Sequence, residues 1–186
     1  MAQIPELMQQ IMSNVSDLET EATRKFRILL SLEHDPPIEQ IVQIPGLIKK
    51  LISFLDYYQN PVVQLEAAWS LTNIASGSEI ATELIVREGA IEGLVNLLQN
   101  STFDDLKEQA IWGLGNIAGD RTEFRDKILA AGALNPLFNQ MGESAKLTML
   151  RNATWALSNF CRGKPLPPIP IVRSSRLFSP PRNGKH

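Results

Sequence analysis

The sequence predicts an all-α solenoid, and three observations carry that prediction. Trp69, Trp112 and Trp155, the only tryptophans of the chain, stand 43 residues apart. Asn73, Asn116 and Asn159 repeat the interval four positions later, and Gly46, Gly89 and Gly132 mark it a third time. A fixed period of about 40 to 47 residues without strand-like alternation belongs to armadillo and HEAT arrays, whose helical units bury apolar surface on their neighbours. The expected architecture is a right-handed superhelical armadillo solenoid with three full three-helix repeats after an N-terminal partial one.

Taken in chain order, residues 1–16 form an N-terminal segment, and "LETEATRKFRILLS" within 17–35 reads as a solitary third helix. Phe26 and Leu30 there occupy the Trp and Asn registers, which suits a partial, capping repeat. The first full repeat spans 36–77, and Pro36-Pro37 fits the start of its first helix. The second spans 78–120, with a short helix in "IATELIVREG", another in "AIEGLVNLLQ" and a longer third in "DDLKEQAIWGLGNIAG". Gly89 and Gly132 stand where a left-handed turn ends a first helix. The third repeat spans 121–162, and the proline-rich remainder, 163–186, is expected to be a disordered basic tail.

Composition narrows the function. The net charge of −2 hides a division: all 20 acidic residues but only 12 of the 18 Lys and Arg precede position 162, so that body carries −8. Six basic and no acidic side chains fall in the last 25 residues. An acidic body argues against broad nucleic-acid binding, which needs a basic surface for phosphates, and suits a cationic partner. No apolar run approaches the roughly 18 residues of a membrane span, and the start lacks a secretory signal pattern. Cys161 is the lone cysteine, expected to pack beside Phe160 in a reducing compartment. With His34 and His186 in loop or tail context and no phosphate-binding or metal-ligand motif, neither an enzyme nor a cofactor is expected.

The repeated pair supplies the binding chemistry. Successive helical residues turn by about 100°, so Trp112 and Asn116 share a face with Asp105, Glu108 and Gln109, while Ala110, Leu114 and Ile117 point the other way. Ala67, Leu71 and Ile74, then Ala153, Leu157 and Phe160, split likewise. A core stripe therefore exists without the tryptophans, and a buried Asn beside each would be costly without partners. A carboxamide can pair with both the N–H and the C=O of an extended peptide, while adjacent indoles leave slots for the stems and cations of Lys or Arg. Helices about 8 to 10 Å apart match two to three residues of an extended peptide, so three repeats read about five to seven. Asp120, at the end of the middle helix, can meet a lysine ammonium.

"LEAAWSLTNIASG", "EQAIWGLGNIAGD" followed by "FRD", and "LRNATWALSNFCRGKP" resemble the second, third and fourth armadillo repeats of the importin alpha family. The likeness runs from about Asp17 to Lys164 and includes "RKFRILLSLEHDPPIEQIV". It implies an adaptor for nuclear import, found in cytoplasm and nucleus, that binds lysine- and arginine-rich nuclear localisation signals of cargo proteins. The groove it implies comprises Trp69, Asn73, Trp112, Asn116, Trp155 and Asn159, together with Gly77, Thr82, Gln109, Gly119 and Asp120, the last taking the key lysine. The family's basic arm for importin beta and its later repeats have no counterpart in these residues, so a truncated form is expected. The competing expectation is an armadillo scaffold or decoy that holds other extended peptides without acting as a carrier.

Overall fold

Left-handed glycines punctuate the chain at the 43-residue period, and asparagine, serine and proline mark single helix starts between them. The computed structural model, which describes residues 4–167, breaks its helices near those points. Among the described residues the secondary structure is entirely helical: α1 (Ile4–Ile11), α2 (Ser16–Leu30), α3 (Ile38–Val42), α4 (Leu47–Phe54), α5 (Pro61–Ile74), α6 (Glu79–Arg87), α7 (Ala90–Asn100), α8 (Asp104–Asp120), α9 (Thr122–Ala130), α10 (Leu134–Asn139) and α11 (Leu147–Phe160). The elements fall into triplets α3–α5, α6–α8 and α9–α11. Gly46, Gly89 and Gly132 have φ of +80°, +100° and +85° between the first and second helix of each triplet, a turn that a Cβ would strain.

Local chemistry sets the starts of the helices. Asn60 caps α5, its Oδ1 accepting from the Val62 and Val63 amides, with Pro61 supplying a first-turn residue that needs no donor partner. Ser78 does the same for α6 through the Ala81 amide. Asp104 opens α8, where a carboxylate suits the positive end of the helix, and Lys146 before α11 donates to it at 2.9 Å. That hydrogen bond and charge hold the Asp104 carboxyl below its ordinary value.

The third helices form one layer: α2 packs on α5, α5 on α8, and α8 on α11. Behind them α4 packs on α5 and α7 on α8, so the first two triplets each contribute a two-deep slice, while α10 of the third packs on α7. Ala67, Leu71 and Ile74 of α5, Ala110, Leu114 and Ile117 of α8, and Ala153 and Phe160 of α11 are buried between the layers. These are the stripe residues expected from the sequence, though Leu157 is only half-buried. The sequence predicts α2 as a solitary third helix. In the structure α1 packs on it, with Leu7 and Ile11 buried, and completes a second-and-third-helix pair.

Buried charges tie the slices together. Glu66 on α5 accepts from Arg27 Nε at 2.7 Å and Arg24 Nε at 3.2 Å, and Lys50 meets the buried Glu19 at 2.7 Å. At the other end Arg125, with its side chain fully buried, donates to the carbonyls of Arg162 (2.6 Å) and Pro165 (2.8 Å) and to Asp126. It holds the chain that leaves α11. Gly163, at φ +90°, fits there because a side chain would collide with Thr122. Cys161 is exposed at this exit, contrary to the packing expected of it, because it lies beyond the last turn of α11. The tail expected from 163 lies outside the described residues from 168 onward.

Candidate functional site

With the apolar stripe of each third helix turned inward, the opposite stripe is left to solvent. Trp69 is 36% exposed, Trp112 47% and Trp155 40%, one from each of α5, α8 and α11. The three indoles therefore stand on successive rungs of one layer, and the core beneath them is complete. Glycine makes this packing fit. A Cβ at Gly115 would come within 3.0 Å of three carbons of the Trp155 ring, and one at Gly119 would crowd the Asn159 amide at 3.1 Å.

The asparagines bridge the rungs. Asn116 Nδ2 donates to the Thr72 carbonyl at 3.0 Å, Asn159 Nδ2 to the Gly115 carbonyl at 2.9 Å, and Asn73 Nδ2 to the Ser31 hydroxyl at 2.7 Å. Each amide thus spends one donor on the preceding third helix. A carboxamide has two N–H groups and an acceptor oxygen, so the remaining capacity still suits a peptide backbone. Asn73 and Asn116 are half-buried and Asn159 is buried.

Between the first two indoles, Leu65, Trp69, Asp105, Glu108, Gln109, Trp112 and Asn152 line a pocket of about 280 Å³. Gln109 Nε2 is buried there without a hydrogen-bond partner, a cost of about 1 to 3 kcal/mol that an added acceptor would relieve. Asp105 and Glu108 supply negative charge at the rim, with Glu108 receiving hydrogen bonds from Thr148 (2.8 Å) and Asn152 (3.5 Å) on α11. One indole already carries a guanidinium: Arg27 Cζ lies 4.5 Å from the Trp69 ring centroid, held there by Glu66. That contact covers one face of Trp69.

Of the remaining residues named from the sequence, Gly77 is exposed just beyond α5 and Gly119 and Asp120 close the end of α8. Thr82 is placed differently. It is fully buried in α6, its hydroxyl donating to the Ser78 carbonyl at 3.2 Å, and it offers no surface to the open face. Its position two residues into an apolar turn, between Ala81 and Ile85, explains the burial. Sequence reasoning missed Arg121. Its guanidinium lies against Asp120, Glu79 and Glu83, and its adjacency to Asp120 was the only sign of it. Among the described residues no cluster of three or more His, Cys, Asp or Glu is arranged for a metal, and no helix is long and apolar enough to cross a membrane.

The model of the armadillo/beta-catenin-like repeat matches residues 34–76, 78–119 and 121–162. The chain belongs to the armadillo-repeat family. Its armadillo repeats are importin-alpha-like in sequence: importin subunit alpha-1b of Oryza sativa subsp. japonica is 51% identical over 101 residues, covering 54% of this chain and 19% of the relative. Importin subunit alpha-B of Dictyostelium discoideum is 49% identical over 104 residues, 56% of this chain and 20% of the relative. Importin subunit alpha of Saccharomyces cerevisiae is 43% identical over 102, with 55% and 19% covered. The matched stretch is about a fifth of the length of these relatives.

Solved armadillo structures agree with the fold. A designed armadillo repeat protein in complex with the peptide (KR)4 superposes with a TM-score of 0.75 at 29% identity, covering 84% of this chain and 64% of that one. A computationally designed armadillo protein for modular peptide recognition gives 0.77 at 27% identity, with 86% and 65% covered.

Proposed function

We propose that the open face of α5, α8 and α11 binds lysine- and arginine-rich peptides in extended form, as an adaptor for basic nuclear localisation signals. The observation that carries this reading is the exposure of Trp69, Trp112 and Trp155 above a core that is complete without them. Each indole has an asparagine one turn on, at Asn73, Asn116 and Asn159, with carboxamide capacity left over for a peptide backbone. Gln109 and Gly119 belong to the same face, Gly77 lies near it, and Asp120 supplies an anchoring carboxylate; Thr82 supports its neighbours from within α6.

The importin subunit alpha relatives and the (KR)4 complex of a designed armadillo protein support the same chemistry of ligand. An acidic rim of Asp105 and Glu108 beside two indoles favours cationic side chains over neutral ones. The role needs no catalytic step, and a carrier of this kind would work in both cytoplasm and nucleus. Importin beta is the partner expected of the family, though the residues of its binding arm have no counterpart in this sequence, and co-precipitation tests it separately.

The direct test is titration of the full chain with a labelled (Lys-Arg)4 octapeptide and with its Glu-substituted counterpart. Binding of the basic peptide alone, weakening as salt rises from 50 to 300 mM, is the expected result. Equal affinity for both peptides would defeat the reading.

A further inference from the structure

Arg121 sits at the junction of α8 and α9, and all three guanidinium nitrogens are engaged. Nη2 lies 2.5 Å from Glu79 Oε1, Nη1 3.5 Å from Glu83 Oε2, and Nε 3.3 Å from Asp120 Oδ2. Its Cζ stands 4.5 Å from the centroid of the Phe124 ring, so the group lies near an aromatic ring while its nitrogens meet three carboxylates. Only 27% of the side chain is exposed, against 70% and 61% for Glu79 and Glu83. Arginine keeps its charge at any pH that a folded protein tolerates.

The carboxylates that Arg121 holds include the one proposed to anchor a peptide lysine. Asp120 ends a third helix, whereas Glu79 and Glu83 lie on the first helix of the same repeat, so Arg121 ties those two helices together at Asp120. An incoming ammonium must therefore either displace a guanidinium that is already tethered or share Asp120 with it. Tethering makes the competitor effectively permanent, because its local concentration does not fall on dilution.

We infer that Arg121 is a built-in occupant of the acidic site at Asp120, an intramolecular stand-in for the peptide's lysine that sets the affinity threshold of the groove. The inference rests on the peptide-binding reading above and adds a specificity determinant to it. A peptide that offers a single cation gains little over the resident arginine, while one with several adjacent cations can use the indole slots as well and prevail. Screened surface pairs contribute up to about fivefold each, so releasing three carboxylates should matter by about five- to tenfold.

The test compares the full-length wild type with R121Q and R121A, using the labelled (Lys-Arg)4 octapeptide and far-UV circular dichroism to establish the fold. R121Q keeps a shorter polar side chain and removes the charge, which guards against an unfolded R121A. The expected result is about five- to tenfold tighter binding by R121Q with a steeper salt dependence. In a D120N background, where the occupied carboxylate is gone, the gain from R121Q should shrink to about twofold, whereas an arginine that does not compete at Asp120 would change affinity equally in both backgrounds. Binding by the wild type that R121Q leaves unchanged or weakens overturns this inference alone. Failure of wild type and variants alike to bind the octapeptide overturns the groove reading and the inference with it.

Discussion

Trp155 rests on the backbone of α8 at Gly115, so close that a Cβ added there would stand within 3.0 Å of three of its ring carbons. The orientation of the last indole is thus decided by a residue of the preceding repeat. Gly115→Ala is expected to push the ring outward and to destabilise the chain by about 1 to 3 kcal/mol through overpacking. Indole fluorescence, near-UV dichroism and the urea midpoint report this together. An unchanged spectrum and midpoint would mean that the ring is not seated as described.

Trp112 and Asn116 make a second, separable pair. Trp112→Ala removes a wall from the slot above Gln109 and should weaken a basic octapeptide by about tenfold or more, with helicity and melting temperature nearly intact because the indole is half exposed. Asn116→Ala has a double cost, since its amide also donates to the Thr72 carbonyl. About 1 kcal/mol of stability should be lost along with affinity. A Trp112→Ala protein that unfolds would show the indole to be core.

At Asp120 the sign of charge should matter more than its loss. Asp120→Asn is expected to weaken a lysine-rich peptide by about three- to tenfold, and Asp120→Lys by more, since a like charge then faces the ligand. Arg121 keeps Glu79 and Glu83 as partners in both variants, so the fold gives no reason for either to unfold. Fluorescence anisotropy at low and moderate salt separates the two; equal, small effects would make Asp120 an ordinary surface carboxylate.

Arg125→Ala removes a fully buried guanidinium and leaves the Arg162 and Pro165 carbonyls without their donor. A loss of about 3 kcal/mol is expected, and Arg125→Lys should not restore it, because one ammonium cannot reproduce a planar fork. Trypsin offers a local readout. Cleavage after Arg162, which Gly163 follows, should accelerate in the variant well before global unfolding.

The helices and their inward stripe were legible in the sequence because both follow from local spacing: a 43-residue period, and apolar positions three and four apart within each third helix. The exposed Trp ladder followed from the same phase. Pairings across a repeat were not legible. That each ladder asparagine already donates to a group 42 or 44 residues earlier depends on how closely the third helices approach, which no single helix encodes. Thr82 was assigned to the groove by family pattern, and its burial reflects the turn of α6 on which it lies. Helix α1 stands 43 residues before α4, in the register of a second helix, so the period itself, with Leu7 and Ile11 one turn apart, was a usable signal. Apart from the place of Arg121 beside Asp120, Arg121 and Arg125 bear no mark in the sequence that sets them apart from solvated arginines.

The amides of Asn116 and Asn159 that join α5 to α8 and α8 to α11 give the molecule an elastic property. Drawing the ends of such a coil apart opens the gap between third helices, and these bonds are among the first to lengthen. A chain laid along the ladder and gripped by the same asparagines would span each gap in parallel with them, as a splint spans a joint. The coil is then expected to be more compliant when its face is empty and stiffer when filled, so that the presence of a ligand is reported by how far a given pull extends the rod.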